Sequence, residues 1–195
     1  NTLFGKNLVL EALQEGKVLD KVILSKGIDP VFKSEIKNLC RGLDVWVQEV
    51  PIQAFQPYNQ YNHQGVIAFA SLVQYIELGE LVPWIYEQGR VPMLLIAAGI
   101  TDVRNLGAMA RSAEVLGVDA LIVPTKGSAA INEVAMKTSA GALSRLHVVR
   151  SYRLVEDLKY LKSSGIHLMG SDASREDAIP VFESEFNEPM ALIMG

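Results

Sequence analysis

The chain has 195 residues, 49% of them hydrophobic, 21% charged and 7% aromatic. That composition is globular and excludes a disordered tail, a collagen-like repeat and a disulfide scaffold. The formal net charge of -4 argues weakly against a polyanion partner, but charge is segmented: residues 101–153 hold seven Lys/Arg against four Asp/Glu, whereas residues 154–195 hold three against eight. A net acidic protein can bind a polyanion through such a local patch. The one cysteine, Cys40, excludes an internal disulfide and a cysteine-rich zinc site and fits a reducing cytoplasm. No basic segment precedes an apolar run at the start, so no signal peptide is expected. The apolar run Val91–Ile100 suits a buried strand and is too short to span a bilayer.

In chain order, Lys6–Gln14 has helical apolar spacing and stops at Gly16. Lys21–Ser25 reads as a strand. Asp29-Pro30 places a capping acid before a first-turn proline and opens a helix that ends near Gly42. Val45–Val50 alternates like a strand, Pro51–Pro57 is a helical or turn segment, Tyr58–Gln64 is loop-like, and Gly65–Ser71 is a strand. Residues 1–72 thus form a small α/β domain, and 73–90, with a helix over Glu77–Gln88, serves as linker and first helix of the next unit.

From 91 to 195 the pattern becomes regular. Strands are expected at Met93–Ala98, Ala120–Val123, Leu146–Val149, Ile166–Met169 and Met190–Met194. Helices are expected at Asn105–Leu116, Asn132–Ser139 and Tyr152–Lys162. All-apolar strands separated by helices predict a parallel sheet covered on both faces. Ligands of such sheets bind beyond the carboxyl ends of the strands, which directs attention to 99–104, 124–130 and 170–177 and to the chain past Gly195. A buried parallel strand normally continues into a loop, so the natural protein is expected to extend past Gly195.

The most informative segment is Asp102–Gly117, DVRNLGAMARSAEVLG. Asn105 is a candidate N-cap, Gly107 and Ala108 allow close approach, and Arg111 can grip a phosphate or an incipient oxyanion. The competing reading pairs Arg111 with Glu114 one turn on. No serine–histidine–acid set, P-loop or dinucleotide-binding glycine turn is present, which leaves hydrolase and nucleotide-hydrolysing activities without support. His63, His147 and His167 lack metal-ligand spacing, and Cys40 reads as core.

This segment resembles motif 1 of the SpoU-like (TrmH-type) RNA 2′-O-ribose methyltransferases of the SPOUT class. Asn105, Gly107, Arg111, Ala113, Glu114 and Gly117 fall on the pattern, and Val103 stands where relatives usually have proline. Thr138–Ala142 (TSAGA) is similar to the family's small-residue turn, and Met190–Gly195 (MALIMG) to the start of its motif 2. Gly5–Leu13 (GKNLVLEAL) with His63-Gln64-Gly65 resembles its accessory, ribosomal-protein-like substrate-binding domain.

The resemblance implies methyl transfer from S-adenosylmethionine to a ribose 2′-hydroxyl, with a guanosine of large-subunit ribosomal RNA as the leading substrate. A tRNA substrate and a noncatalytic RNA-binding relative are the alternatives. It also implies a C-terminal trefoil knot, completed by chain beyond Gly195, and a homodimer. Arg111 would be catalytic and Asn105 would orient the nucleotide. Gly195, Gly170 and Ser171 would meet the cofactor. Arg104, Lys6 and Lys26, with Lys17 and Lys21, would meet RNA phosphates, and Tyr58 and Tyr61 would stack bases or pack their loop. No metal is implied.

Overall fold

A computed structural model describes residues 2–172, 174, 178–180, 183–184 and 186–195. The chain divides into two units, Asn1–Leu72 and Val73–Gly195.

In the first unit β1 (Thr2–Phe4), α1 (Lys6–Gln14), β2 (Leu19–Ser25), α2 (Pro30–Gly42), β3 (Trp46–Val50) and β4 (Val66–Ala70) form a four-stranded sheet of order β1-β4-β2-β3 with two helices. β2 and β3 are parallel, and β4 is antiparallel to β1 and β2. Asp29 caps α2 as its position before Pro30 requires, its carboxylate accepting from the Phe32 N–H at 2.8 Å. Val9 and Leu13 of α1, and Ile36 and Cys40 of α2, bury with Val22, Leu24 and Ala68 on one face of the sheet. Burial there pushes the Cys40 thiol up to about 11, which keeps it protonated and inert at neutral pH. A 3-10 turn over Ile52–Tyr58 lies between β3 and β4 and contributes the buried Phe55. β1 was not evident in the sequence.

The second unit contains α3 (Leu78–Glu87), β5 (Met93–Ala97), α4 (Val103–Val115), β6 (Ala120–Pro124), α5 (Glu133–Thr138), β7 (His147–Ser151), α6 (Leu154–Ser163), β8 (His167–Gly170) and β9 (Met190–Met194). The strands order as β7-β6-β5-β9-β8, every pair parallel. Both faces are covered, which is why both strand parities are apolar. Leu95, Ala97, Leu121, Val123 and Val148 meet Leu106, Ala110 and Ala113 of α4 and Ala135 of α5. Leu94, Ile96, Ala120, Ile122 and Ala191 meet Leu78, Leu81, Val82 and Ile85 of α3 and Leu161 of α6. Residues 73–90, expected in part as a linker, belong to this core from their start: Val73 and the apolar stripe of α3 are buried in it.

α4 begins earlier than the sequence indicates. Asp102, not Asn105, is its N-cap, with the carboxylate accepting from the Arg104 N–H at 2.7 Å. Both residue types cap well, and the one immediately before the first helical turn takes the role. Asn105 therefore lies inside the first turn, with its side chain exposed.

Candidate functional site

The carboxyl ends of the parallel strands open together. Ala98 and Gly99 after β5, Pro124, Lys126 and Gly127 at the end of β6, and Ser151 and Tyr152 at the end of β7 line a cleft of about 250 Å³. The first two loops are stitched to each other. The Ser128 hydroxyl donates to the Ala97 carbonyl at 2.8 Å, and the Ala129 N–H donates to the Ile100 carbonyl at 2.7 Å. The Thr125 N–H reaches the Ser151 carbonyl at 2.8 Å, tying β6 to β7 at the same rim. The start of β5 is fixed by buried Asp119, which accepts from the Met93 N–H at 2.8 Å and pairs with Arg90.

On the other side of β5, β9 ends against the same rim. A Cβ at Gly195 would land on the Ala98 carbonyl, so this backbone approach admits only glycine. Gly170, at the end of β8, has nothing within 4 Å of where its Cβ would lie. The Ser171 N–H is spent on the Ile193 carbonyl at 2.9 Å, leaving its hydroxyl and carbonyl for other partners. Three of the residues singled out from the sequence, Gly170, Ser171 and Gly195, thus lie at neighbouring carboxyl ends. The loop 170–177 is only partly within the described residues, Asp177 lying outside them.

α4 carries the motif 1 residues away from the cleft lining. Arg111 stands eight residues beyond Val103, about 12 Å along the axis at 1.5 Å per residue. It is exposed, and among the described residues no hydrogen bond or ion pair engages its guanidinium. The alternative pairing with Glu114 does not occur. Arg145 takes both Glu114 carboxylate oxygens in a fork, Nε to Oε1 and Nη2 to Oε2, the latter at 2.8 Å. The hydrogen bonds from Arg145 hold the Glu114 carboxyl below the ordinary glutamate range. Arg104, seven residues before Arg111, falls on nearly the same helix face and is also exposed.

Gly107 has a mechanical role. A Cβ there would come within 2.8 Å of the Ala135 carbonyl oxygen and of the Thr138 Cβ, and within 3.1 Å of the Ser139 nitrogen. The motif 1 glycine and the TSAGA segment are therefore two sides of one helix crossing. Ser139 is fully buried and turns inward, its hydroxyl donating to the Met136 carbonyl at 2.8 Å. Gly141 then takes a left-handed conformation, with φ 87°.

In the first unit the two N-terminal motifs meet. The Gln64 side-chain carbonyl accepts from the Lys6 N–H, the first free donor of α1, at 3.0 Å, and the Gly5 N–H donates to the Val66 carbonyl at 3.2 Å. Gly5 itself has φ 95°, and a Cβ there would touch the Asn62 carbonyl oxygen at 3.0 Å. His63 is part of the same corner: its Nδ1 accepts from the Gly65 N–H at 3.0 Å and its ring stacks on Phe55. This remote cap was invisible in sequence, because the partners are 58 residues apart. Gln64→Ala is expected to cost about 1 kcal/mol, the usual worth of a lost cap, read as a lower midpoint in urea unfolding. An unchanged midpoint would remove the cap from the account.

The other residues singled out have ordinary structural surroundings. The Lys6 ammonium lies 5.1 Å from the centre of the Phe32 ring, and Lys26 and Lys17 are exposed. Tyr61 stacks on Phe4 at 4.2 Å and Tyr58 tilts against Phe4 at 5.9 Å, so these rings pack their own loop rather than standing free for bases. His147 lies edge-on to Trp84, and exposed His167 is 3.4 Å from Glu188. Among the described residues no cluster of His, Cys, Asp or Glu could hold a metal. No helix of the described residues is long and apolar enough to cross a membrane.

A covered parallel sheet, a glycine-tight rim at its carboxyl ends and an α/β unit before it define the class: a two-unit α/β protein with a strand-end ligand crevice. The SpoU rRNA Methylase family profile matches residues 92–195, and that of RNA 2′-O ribose methyltransferase substrate binding matches residues 2–76. The chain belongs to the SpoU rRNA methylase family. It is 32% identical to an uncharacterized tRNA/rRNA methyltransferase of Synechocystis over 99% of this chain and 50% of that protein. It is 29% identical to YacO of Bacillus subtilis, assigned to the TrmH family of tRNA/rRNA methyltransferases, over 99% of this chain and 77% of YacO. The chain thus spans half the length of the first relative. Its fold is that of the AdoMet-bound rRNA methyltransferase from Sinorhizobium meliloti, with a TM-score of 0.53 at 16% identity over 100% of this chain and 69% of the other.

Proposed function

We propose that this chain is the substrate-binding and catalytic portion of an S-adenosylmethionine-dependent RNA 2′-O-ribose methyltransferase, with a guanosine of large-subunit ribosomal RNA as target. The observation that carries the reading is Arg111: a guanidinium displayed on the motif 1 helix and left unengaged because Arg145 has taken Glu114.

The rim residues fit the cofactor. Gly195 and Gly170 present backbone without side-chain obstruction, and Ser171 offers its hydroxyl. S-adenosylmethionine, when bound, supplies an activated sulfonium methyl, so the protein's task is alignment and stabilisation of charge. The ribose oxygen must gain a methyl and shed its proton. An arginine guanidinium is a poor base, so the proton passes to solvent; that of Arg111 holds the negative charge developing on the oxygen and the phosphate beside it. Asn105, exposed in the first turn of the same helix, orients the nucleotide, and Arg104 meets an adjoining phosphate. Lys6 and Lys26 serve RNA capture from the first unit. Because Arg111 faces outward, with exposed Val115 and Leu116 a turn further on, a second copy of the chain completes the site.

The test is incubation of the full-length protein with labelled S-adenosylmethionine and ribosomal RNA or tRNA. Label is expected in ribosomal RNA, at a position where the linkage resists alkaline hydrolysis, as a 2′-O-methyl group dictates. Label on a base overturns the 2′-O reading, label confined to tRNA overturns the substrate, and no label in either RNA overturns the activity.

A further inference from the structure

The face of the first unit's sheet opposite its helices carries a row in which Lys21, expected from the resemblance to meet an RNA phosphate, stands between two aromatic rings. Phe69 of β4, Lys21 of β2 and Trp46 of β3 are direct register partners: Lys21 stands opposite Phe69 on one side and opposite Trp46 on the other. Their sequence neighbours Ala68, Val22 and Val47 pack with α1 and α2, so alternation turns these three side chains to the far face. The Lys21 ammonium lies 5.3 Å from the centre of the Phe69 ring and 5.5 Å from that of Trp46. Both distances are within cation–π range. Trp46 is 57% exposed, and among the described residues no hydrogen bond or ion pair engages Lys21.

An indole this exposed is unusual for a residue that prefers at least partial burial. Here its ring is not left to the solvent alone: an ammonium without a carboxylate partner is fixed between it and a second ring. That combination presents a flat π surface for a base and a positive charge for the phosphate next to it, the two elements single-stranded nucleic acids require.

Resting on the reading of the chain as an RNA-modifying enzyme, we infer that the Phe69–Lys21–Trp46 row is a binding site for an unpaired RNA nucleotide, with Trp46 stacking the base and Lys21 meeting its phosphate. The charge is complementary to RNA, and the unit is the one matched by the substrate-binding family profile. The positive row also distinguishes this occupant from a purely apolar protein partner.

The two tryptophans of the sequence are Trp46 and Trp84. In the full-length protein with Trp84, and any tryptophan outside these 195 residues, replaced by Phe, indole fluorescence reports Trp46 alone. Titration with an unlabelled single-stranded RNA octamer is expected to quench it, and a duplex of the same sequence is expected to leave it largely unchanged. By filter binding, Trp46→Ala is expected to weaken the single strand about tenfold, in line with the loss of one stacked base. Lys21→Gln is expected to weaken it too and to reduce the salt slope by about one charge. In methyl transfer both variants are expected to raise KM and leave kcat unchanged. Unchanged affinity in both variants overturns the site, as does a Trp46→Ala protein whose sedimentation shows a changed association state, which would make the face a protein interface. If variants lose RNA affinity while the wild-type protein methylates no RNA, the site stands and the enzymatic reading falls. If methylation proceeds with unchanged KM in both variants, the enzymatic reading stands and the site falls.

Discussion

Arg111→Ala is expected to lower the rate of methyl transfer by at least about 100-fold, the scale on which removal of one donor to a developing oxyanion acts. S-adenosylmethionine affinity is expected to stay within about twofold of wild type, because the guanidinium lies on α4 and outside the rim formed by Gly170, Ser171 and Gly195. Folding should be nearly untouched. The side chain is exposed and engages no described partner, so its truncation belongs to the surface class worth less than about 0.5 kcal/mol. Single-turnover kinetics, calorimetric cofactor binding and urea unfolding on one preparation separate the three quantities. Wild-type turnover in the variant removes Arg111 from the chemistry, and a large loss of stability assigns it a structural role. Arg111→Lys keeps the charge and loses the planar fork, so it should recover only part of the rate.

The second large effect is mechanical. Gly107→Ala places a methyl within 2.8 Å of the Ala135 carbonyl oxygen and the Thr138 Cβ, neither of which is the yielding tip of a long side chain. Overpacking of this kind costs about 2 kcal/mol, which in a chain of this size lowers the melting temperature by about 6 °C. Gly79→Ala is the control: it too lies in a helix, and nothing stands within 4 Å of its Cβ position, so the alanine should be neutral or slightly stabilising. Scanning calorimetry of the two variants decides. Equal melting temperatures would mean that α4 and α5 part without cost and that the motif 1 glycine answers to something other than this crossing.

Much of the second unit was legible because period and punctuation agree there. Apolar strand cores alternate with amphipathic helices, and turn glycines such as Gly117 and Gly165 stand just after them. Asp29-Pro30 likewise identified the start of α2. The small residues inside Asp102–Gly117 already pointed to a close approach at Gly107, which meets α5, but not to where the helix begins. Asp102 and Asn105 are both good caps, and only the position of the first turn separates them. β1 was illegible because Thr2–Phe4 is too short to show alternation and is held only by pairing with β4. The same holds for side-chain partners. Nothing local tells Glu114 to prefer Arg145, 31 residues away, over Arg111, three residues away. Likewise, the Phe69–Lys21–Trp46 row exists only once three separate strands are in register.

The order of the large sheet has a consequence for synthesis. Of the described strands β9 is made last, yet it sits between β5 and β8, and among them it is the only ladder partner of β8. Until residues 190–194 emerge from the ribosome, one side of the apolar strand Met93–Ala97 lacks that neighbour and His167–Gly170 lacks its ladder partner altogether. An unpaired apolar edge is a template for aggregation. The nascent polypeptide must therefore hold a slot open in the middle of its own sheet, and chains released before that point are the ones a chaperone would need to shield.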